Sequence, residues 1–390
     1  MADYGKREYR NVFAEIGKSE EEIDKRLAEI METFFEKEGE KVFFRVGEDM
    51  AYIEDTGNLD ARTEGMSYGM MFCVQMDRKE DFDRLWKWAK TYMWMDEGEN
   101  EGYFAWSCAP DGKKNAYGPA PDGEEFFAMA LFFAAHRWGN GSGIFDYERE
   151  AREILRACLH KGENGRPGCP MWNHDNHQIL FVPGISFTDP SYHLPHFYEL
   201  FALWADPEDR DFWIKAAEAS REYLALACHP VTGMSAEYAE FDGQPVKKVP
   251  WGKDRHDWFF SDSYRTVANI GLDYEWFGVD KGQRGAAERL QRFLGVERRE
   301  DPFRIYEVDG RVIERGALHP TAITATTAQG ALAVPERLDG DELSQAGQMA
   351  RMWVERFWNQ PMQTGKYRYY DNCLYLFAFL ALSGKYRIWE

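Results

Sequence analysis

Positive charge is scarce in this chain: 47 Lys and Arg stand against 67 Asp and Glu, a formal net charge of −20. A phosphate backbone or an anionic membrane surface would be repelled, so neither nucleic acid nor membrane is expected as a partner, and a neutral substrate fits better. Cysteine is sparse and scattered, at 73, 108, 158, 169, 228 and 373, with no C-x-x-C pair. Several of these lie in apolar helical runs, which points to reduced core thiols and not to disulfides. Cys169, His174 and His177 are close in sequence, but two histidines three apart beside one cysteine fall short of a zinc pattern, and neither metal nor organic cofactor is expected. No stretch approaches the length and apolarity of a membrane span. The opening MADYGKREYRNVF lacks an apolar signal core and a small-residue cleavage pattern, so the expected location is cytoplasmic. The expected state is a monomer. Strand-type alternation is scarce too.

Helical patterning and aromatic residues are plentiful. Aromatics make up 16% of the chain, with 14 Trp and 20 Tyr, suited to core packing and to stacking on sugar faces. With 390 residues and 44% hydrophobic content, the chain can bury one large core or two ordinary ones. Six segments are charged and amphipathic, at 19–36, 80–93, 147–159, 208–227, 283–294 and 341–357, each with one wet face. Six others, at 66–76, 124–136, 191–204, 263–276, 321–334 and 372–382, are apolar nearly all round and expect burial. Wet and dry helices alternate at roughly 65 residues per pair, which predicts an all-α fold, an inner ring of helices wrapped by an outer one, the (α/α)6 barrel. Two separate bundles would need a polar linker near the middle. The segment 234–258, though rich in Gly, Pro and charge, does not interrupt the alternation, so one domain over residues 1–390 is expected.

Chemistry gathers at the starts of the dry helices. Glu64, Asp122, Asp189, Asp262, His319 and Asp371 all lie at or just before them, and a ring would bring these residues to one rim. For any one acid taken alone, N-capping that serves the helix dipole is the commoner role; Asp189 and Asp371 look most like pure caps, and Thr63 is the expected N-cap of its own helix. Glu64 stands out because the run that follows it, MSYGMMFCVQM, carries no charge. Burial there would raise its pKa and free helix N–H groups would lower it. Asp262 sits in Phe259-Phe260-Ser261-Asp262-Ser263-Tyr264-Arg265, with an aromatic wall before it and a cation one turn after, which favours its ionised form. Several acids and stacking aromatics on one rim suit glycoside hydrolysis, which needs one protonated carboxyl and one carboxylate.

Thr63-Glu64-Gly65-Met66-Ser67-Tyr68-Gly69-Met70 resembles the signature of glycoside hydrolase family 8, a family of (α/α)6-barrel inverting β-glycanases. Trp106-Ser107-Cys108, Pro119-Ala120-Pro121-Asp122-Gly123-Glu124-Glu125, Asp189-Pro190-Ser191-Tyr192-His193-Leu194-Pro195, Ser261-Asp262-Ser263-Tyr264-Arg265 and Tyr369-Tyr370-Asp371-Asn372 resemble its exo-acting, xylose-releasing subgroup. The resemblance implies Glu64 as general acid and Asp262 as the base that activates water. It also implies that Asp122 and Tyr192 hold the sugar at the −1 position, that Trp106 stacks beneath a sugar, and that Arg265 orders the acids. Leu318-His319-Pro320 matches the loop that closes the cleft, where His319 would read the reducing-end hydroxyl.

The implied reaction is hydrolysis of β-1,4-xylo-oligosaccharides of three or more units, with xylose released from the reducing end, inversion at the anomeric carbon, and carboxyls about 6.5–9.5 Å apart. Three alternatives stay open. An endo-acting xylanase, cellulase or chitosanase of the same family would give mixed oligomers. A sugar epimerase or isomerase on the same barrel would draft His193 or His196. A non-catalytic carbohydrate-binding protein would have no use for Glu64 and Asp262 together.

Overall fold

The computed structural model describes residues 7–390. A four-residue helix, α1 (Val12–Glu15), precedes twelve longer ones that occur where the sequence patterns lie. The wet set is α2 (Glu20–Phe35), α4 (Lys79–Trp88), α6 (Tyr147–His160), α8 (Arg210–Ala227), α10 (Arg284–Arg292) and α12 (Gln345–Trp358). The dry set is α3 (Thr63–Gln75), α5 (Pro121–Trp138), α7 (Pro195–Trp204), α9 (Tyr264–Phe277), α11 (Pro320–Gln329) and α13 (Arg368–Leu382). Dry helices touch in chain order, α3 to α5, then α7, α9, α11 and α13, and α13 returns to α3. Each is backed by a wet neighbour: α4 on α3, α6 on α5, α8 on α7, α10 on α9, α12 on α11 and α2 on α13. The fold is an (α/α)6 barrel, and its closure explains why the dry helices tolerate no wet face: they meet ring partners on their flanks and an outer helix behind.

Local chemistry explains where the helices begin. Ser19 and Glu22 form a reciprocal capping box on α2. Proline occupies the first turn of α5, α7 and α11, where its missing N–H costs nothing. The start of α3 corrects one expectation. Its N-cap is Arg62, extended at φ −113° and ψ 147° with no side-chain capping bond, and Thr63 is already helical. The reason is a strand: Arg62 pairs with Ser107, and the Thr63 N–H is satisfied by the Trp106 carbonyl at 3.0 Å, so no side-chain cap is required.

Short strands brace the rim. β1 (Phe43–Val46) and β2 (Met50–Ile53) form a hairpin, β3 (Ala61–Arg62) pairs with β4 (Ser107–Cys108), and β5 (Trp258–Phe259), β6 (Arg304–Glu307) and β7 (Val312–Gly316) form an antiparallel sheet. β3 runs directly into Glu64, β5 into the turn that carries Asp262, and β7 toward His319. Strands of two to five residues are too short to show a clear period, so sequence patterning passes over them.

Two glycines let the inner helices meet closely at this end. A Cβ on Gly123 of α5 would overlap the Thr63 side chain of α3, and one on Gly65 would lie 2.6 Å from the Tyr369 ring of α13.

Candidate active site

Arg265, the second residue of α9 and 4% exposed, is the hub of the rim. Its Nη1 donates to Glu64 Oε2, Asp122 Oδ2 and the Tyr68 hydroxyl, each at 2.9 Å. Its Nη2 lies 3.5 Å from Asp262 Oδ1 and 3.9 Å from Asp189 Oδ2. Four carboxyls, drawn from the starts of α3 and α5 and the turns before α7 and α9, therefore converge on one planar cation, which matches several oxygens at once as an ammonium cannot.

The acids differ in surroundings. Glu64 also accepts the Tyr369 hydroxyl at 2.7 Å on Oε1. Burial raises its pKa to about 7; Arg265 pulls downward, while Asp122 and Asp262 push further up. Burial likewise raises Asp122, whose Oδ1 also accepts the Gly123 N–H at 3.0 Å. Asp189 is fully buried and raised well above the carboxylate range by burial and by Asp262. Its Oδ1 caps Ser191 as the sequence suggests, but its Oδ2 faces the guanidinium, so it is more than a cap. The Asp262 side chain is the most open of the four, 29% exposed against 15% for Glu64.

These residues open on a cleft of about 470 Å³, lined by Glu64, Asp122, Asp262 and Arg265, with Trp106, Tyr192, Phe181, Tyr238 and Trp251 among its walls. Phe181 lies between Tyr192 and Trp251, nearly parallel to both, with ring centroids 5.8 and 5.6 Å away. Trp106 is 37% exposed and carries Arg62 over its ring at 5.3 Å. Six of the seven sequence candidates thus share the cleft. His319 does not line it; its Nδ1 is bonded to Asp371 Oδ2 at 2.7 Å, and its ring meets Tyr370 edge-on at 4.9 Å.

Asp371 corrects a second expectation. It lies within the first turn of α13 but serves a different helix, accepting the Ala322 N–H at the start of α11 at 2.8 Å. The two histidines considered for proton transfer are also placed. His193 precedes α7 and is hydrogen-bonded to Thr188 and Ser220 at 3.0 and 2.9 Å, while His196 is buried within α7. Burial lowers both to about 3, and neither lines the cleft. Sequence reasoning passed over Tyr68 and Tyr369 as site residues although both fall inside the quoted motifs, and it passed over Phe181, Tyr238 and Trp251, which sit in loops without periodic signal.

A family model, Glycosyl hydrolases family 8, matches residues 33–384. The chain belongs to that family. This family 8 chain is 55% identical to the reducing end xylose-releasing exo-oligoxylanase of Halalkalibacterium halodurans over 98% of its own length and 95% of that protein. It is 52% identical to the reducing-end xylose-releasing exo-oligoxylanase Rex8A of Paenibacillus barcinonensis, over 98% and 97% of the two chains. A crystal structure of a reducing end xylose-releasing exo-oligoxylanase superposes with a TM-score of 0.92 at 56% identity, covering 100% of this chain and 98% of that one. The glycoside hydrolase class, the barrel and the family expected from the motifs all hold.

Proposed function

We propose that this enzyme hydrolyses β-1,4-xylo-oligosaccharides of three or more units, releasing xylose from the reducing end with inversion. The observation that carries the reading is a carboxyl kept protonatable near neutrality, Glu64, paired through one guanidinium with a more open carboxyl, Asp262, in an aromatic cleft. Glu64 protonates the glycosidic oxygen, as a raised pKa suits a general acid. Asp262 takes a proton from water on the opposite face of the sugar, and the anomeric carbon passes through an oxocarbenium-like transition state. Asp122 and Tyr192 hold the −1 sugar, Trp106 stacks on a neighbouring one, and Arg265 keeps the acids in register. Reading of the reducing-end hydroxyl falls to His319 on the likeness of the Leu318-His319-Pro320 loop: its Nδ1 is committed to Asp371, which leaves the other ring nitrogen for a sugar beyond the residues that line the cleft. The full-length likeness to exo-oligoxylanases supports the substrate class. The reading extends to a cytoplasmic monomer, which fractionation and light scattering test.

The first test is xylotriose labelled at its reducing end, followed by NMR. Expected are labelled xylose and unlabelled xylobiose whose new end forms as the α anomer. Label retained in xylobiose reverses the polarity, a β anomer refutes Asp262 as water-activating base, and mixed products from long xylan indicate endo action. Glu64→Gln and Asp262→Asn should each lower kcat by about 10²–10⁴-fold, to a residual rate measurable at high enzyme concentration, and leave the fold intact; near-parental turnover by either refutes its assignment.

A further inference from the structure

The start of α13 carries three consecutive residues whose side chains reach three different parts of the site. Tyr369 donates to Glu64 Oε1 at 2.7 Å, Tyr370 donates to the Ser261 carbonyl at 2.9 Å, and Asp371 accepts from His319 at 2.7 Å. All three are buried, at 2%, 7% and 0% exposure. Successive helical side chains point about 100° apart, so three neighbours on one rigid turn address three directions. Here the directions are the first turn of α3, the turn before α9 and the start of α11.

The middle contact is the unusual one. Ser261 has φ +40°, a conformation that a residue with a Cβ adopts only when its surroundings impose it. Two restraints are visible. Ser263 Oγ donates to the Phe260 carbonyl at 3.0 Å and accepts the Phe260 N–H at 2.9 Å, which closes the turn on itself. Tyr370 reaches in from across the barrel and holds the Ser261 carbonyl, one peptide ahead of Asp262. Among the described residues the Asp262 carboxyl has a single ion pair, 3.5 Å from Arg265, so its direction depends on the backbone that carries it.

We propose that Tyr370 is a positioning residue for Asp262: by holding the strained Ser261 carbonyl it aims the Asp262 carboxyl at the attacking water. Tyr369 does the same for Glu64 and Asp371 for His319, so one helix turn sets the spacing of acid, base and reducing-end reader. The inference rests on the proposed role of Asp262 as base.

A double-mutant cycle on xylotriose tests it, with Tyr370→Phe, Asp262→Asn and the double variant compared for kcat, KM and melting temperature. Tyr370→Phe removes one hydroxyl, and kcat should fall about five- to tenfold with KM within about twofold. In the Asp262→Asn background the same change should cost nothing further, because Tyr370 acts only through the group already lost. An equal fold-loss in both backgrounds overturns the proposal and leaves Tyr370 a general packing residue. Near-parental turnover by Asp262→Asn alone refutes the catalytic reading instead, so the two failures are distinguishable. Should Tyr370→Phe fail to fold, Ser261→Gly loosens the same turn without touching Tyr370, since glycine tolerates positive φ without needing restraint. It should lower kcat with KM unchanged, and an unchanged kcat overturns the proposal.

Discussion

Glu64 is the residue on which pH acts most directly. Its pKa is raised to about 7, chiefly by burial, so the acid form required for catalysis persists to neutrality and is lost above it. For xylotriose, kcat/KM should therefore fall as pH rises through about 7, and a profile flat to pH 9 would refute Glu64 as the acid. Stability follows the same sign. A folded pKa raised above the ordinary 4.5 contributes stability that is fully present below about 4.5 and is lost as pH climbs through 7. Glu237, held by Trp258 Nε1 at 2.7 Å and His256 at 3.3 Å, is also raised to about 7 by burial and adds in the same direction. The melting temperature should accordingly drop between pH 5 and pH 8. Arg265 is the other decisive residue. Arg265→Met would leave Glu64, Asp122, Asp189 and Asp262 facing one another without a cation, at a cost of about 3–5 kcal/mol in urea unfolding.

At the scale of elements, the site is made by helix starts held at close range. Gly123 touches Thr63 where α5 crosses α3, which puts Asp122 and Glu64 on the same guanidinium. Gly123→Ala must push the two helices apart. The expected result is a loss of about 1–3 kcal/mol from overpacking and about 100-fold in kcat from misplacement of the acids. Activity at the parental level in the folded variant would show that the crossing is looser than these contacts imply. The short strands do related work on the other side of the cleft: the β5–β6–β7 sheet ties the Asp262 turn to the segment leading to His319, although the two lie far apart in sequence.

Among the described residues the main core runs contiguously from Val12 to Ile388, with a small second cluster at Phe187, Tyr238 and Val246, and the ring closes only when α13 meets α3. The single domain expected over residues 1–390 would unfold by heat or urea in one cooperative transition, and two separated transitions would contradict it. A net charge of −20 repels itself in the compact state. Raising salt from about 10 mM to about 150 mM should raise the melting temperature by screening that repulsion, while KM for uncharged xylotriose stays constant.

The barrel was legible in the sequence because burial on all sides and burial on one side leave different local patterns, and twelve helices announce which they are. The acids were legible as a set because helix starts are marked locally, and the motifs around Glu64 and Asp262 named the chemistry. Other features lay beyond that reach. Thr63 is not a cap because a strand partner more than forty residues on supplies the missing bond, and Asp371 caps a helix other than its own. Residue types and their local periods determined the fold and the acid set, and the resemblance of the quoted motifs pointed to the family. Only the tertiary structure decided which oxygens share Arg265, how far burial lifts Glu64, and that Tyr369, Tyr370 and Asp371 reach three parts of the site. Those are contacts across tens to hundreds of residues, and no local pattern encodes them.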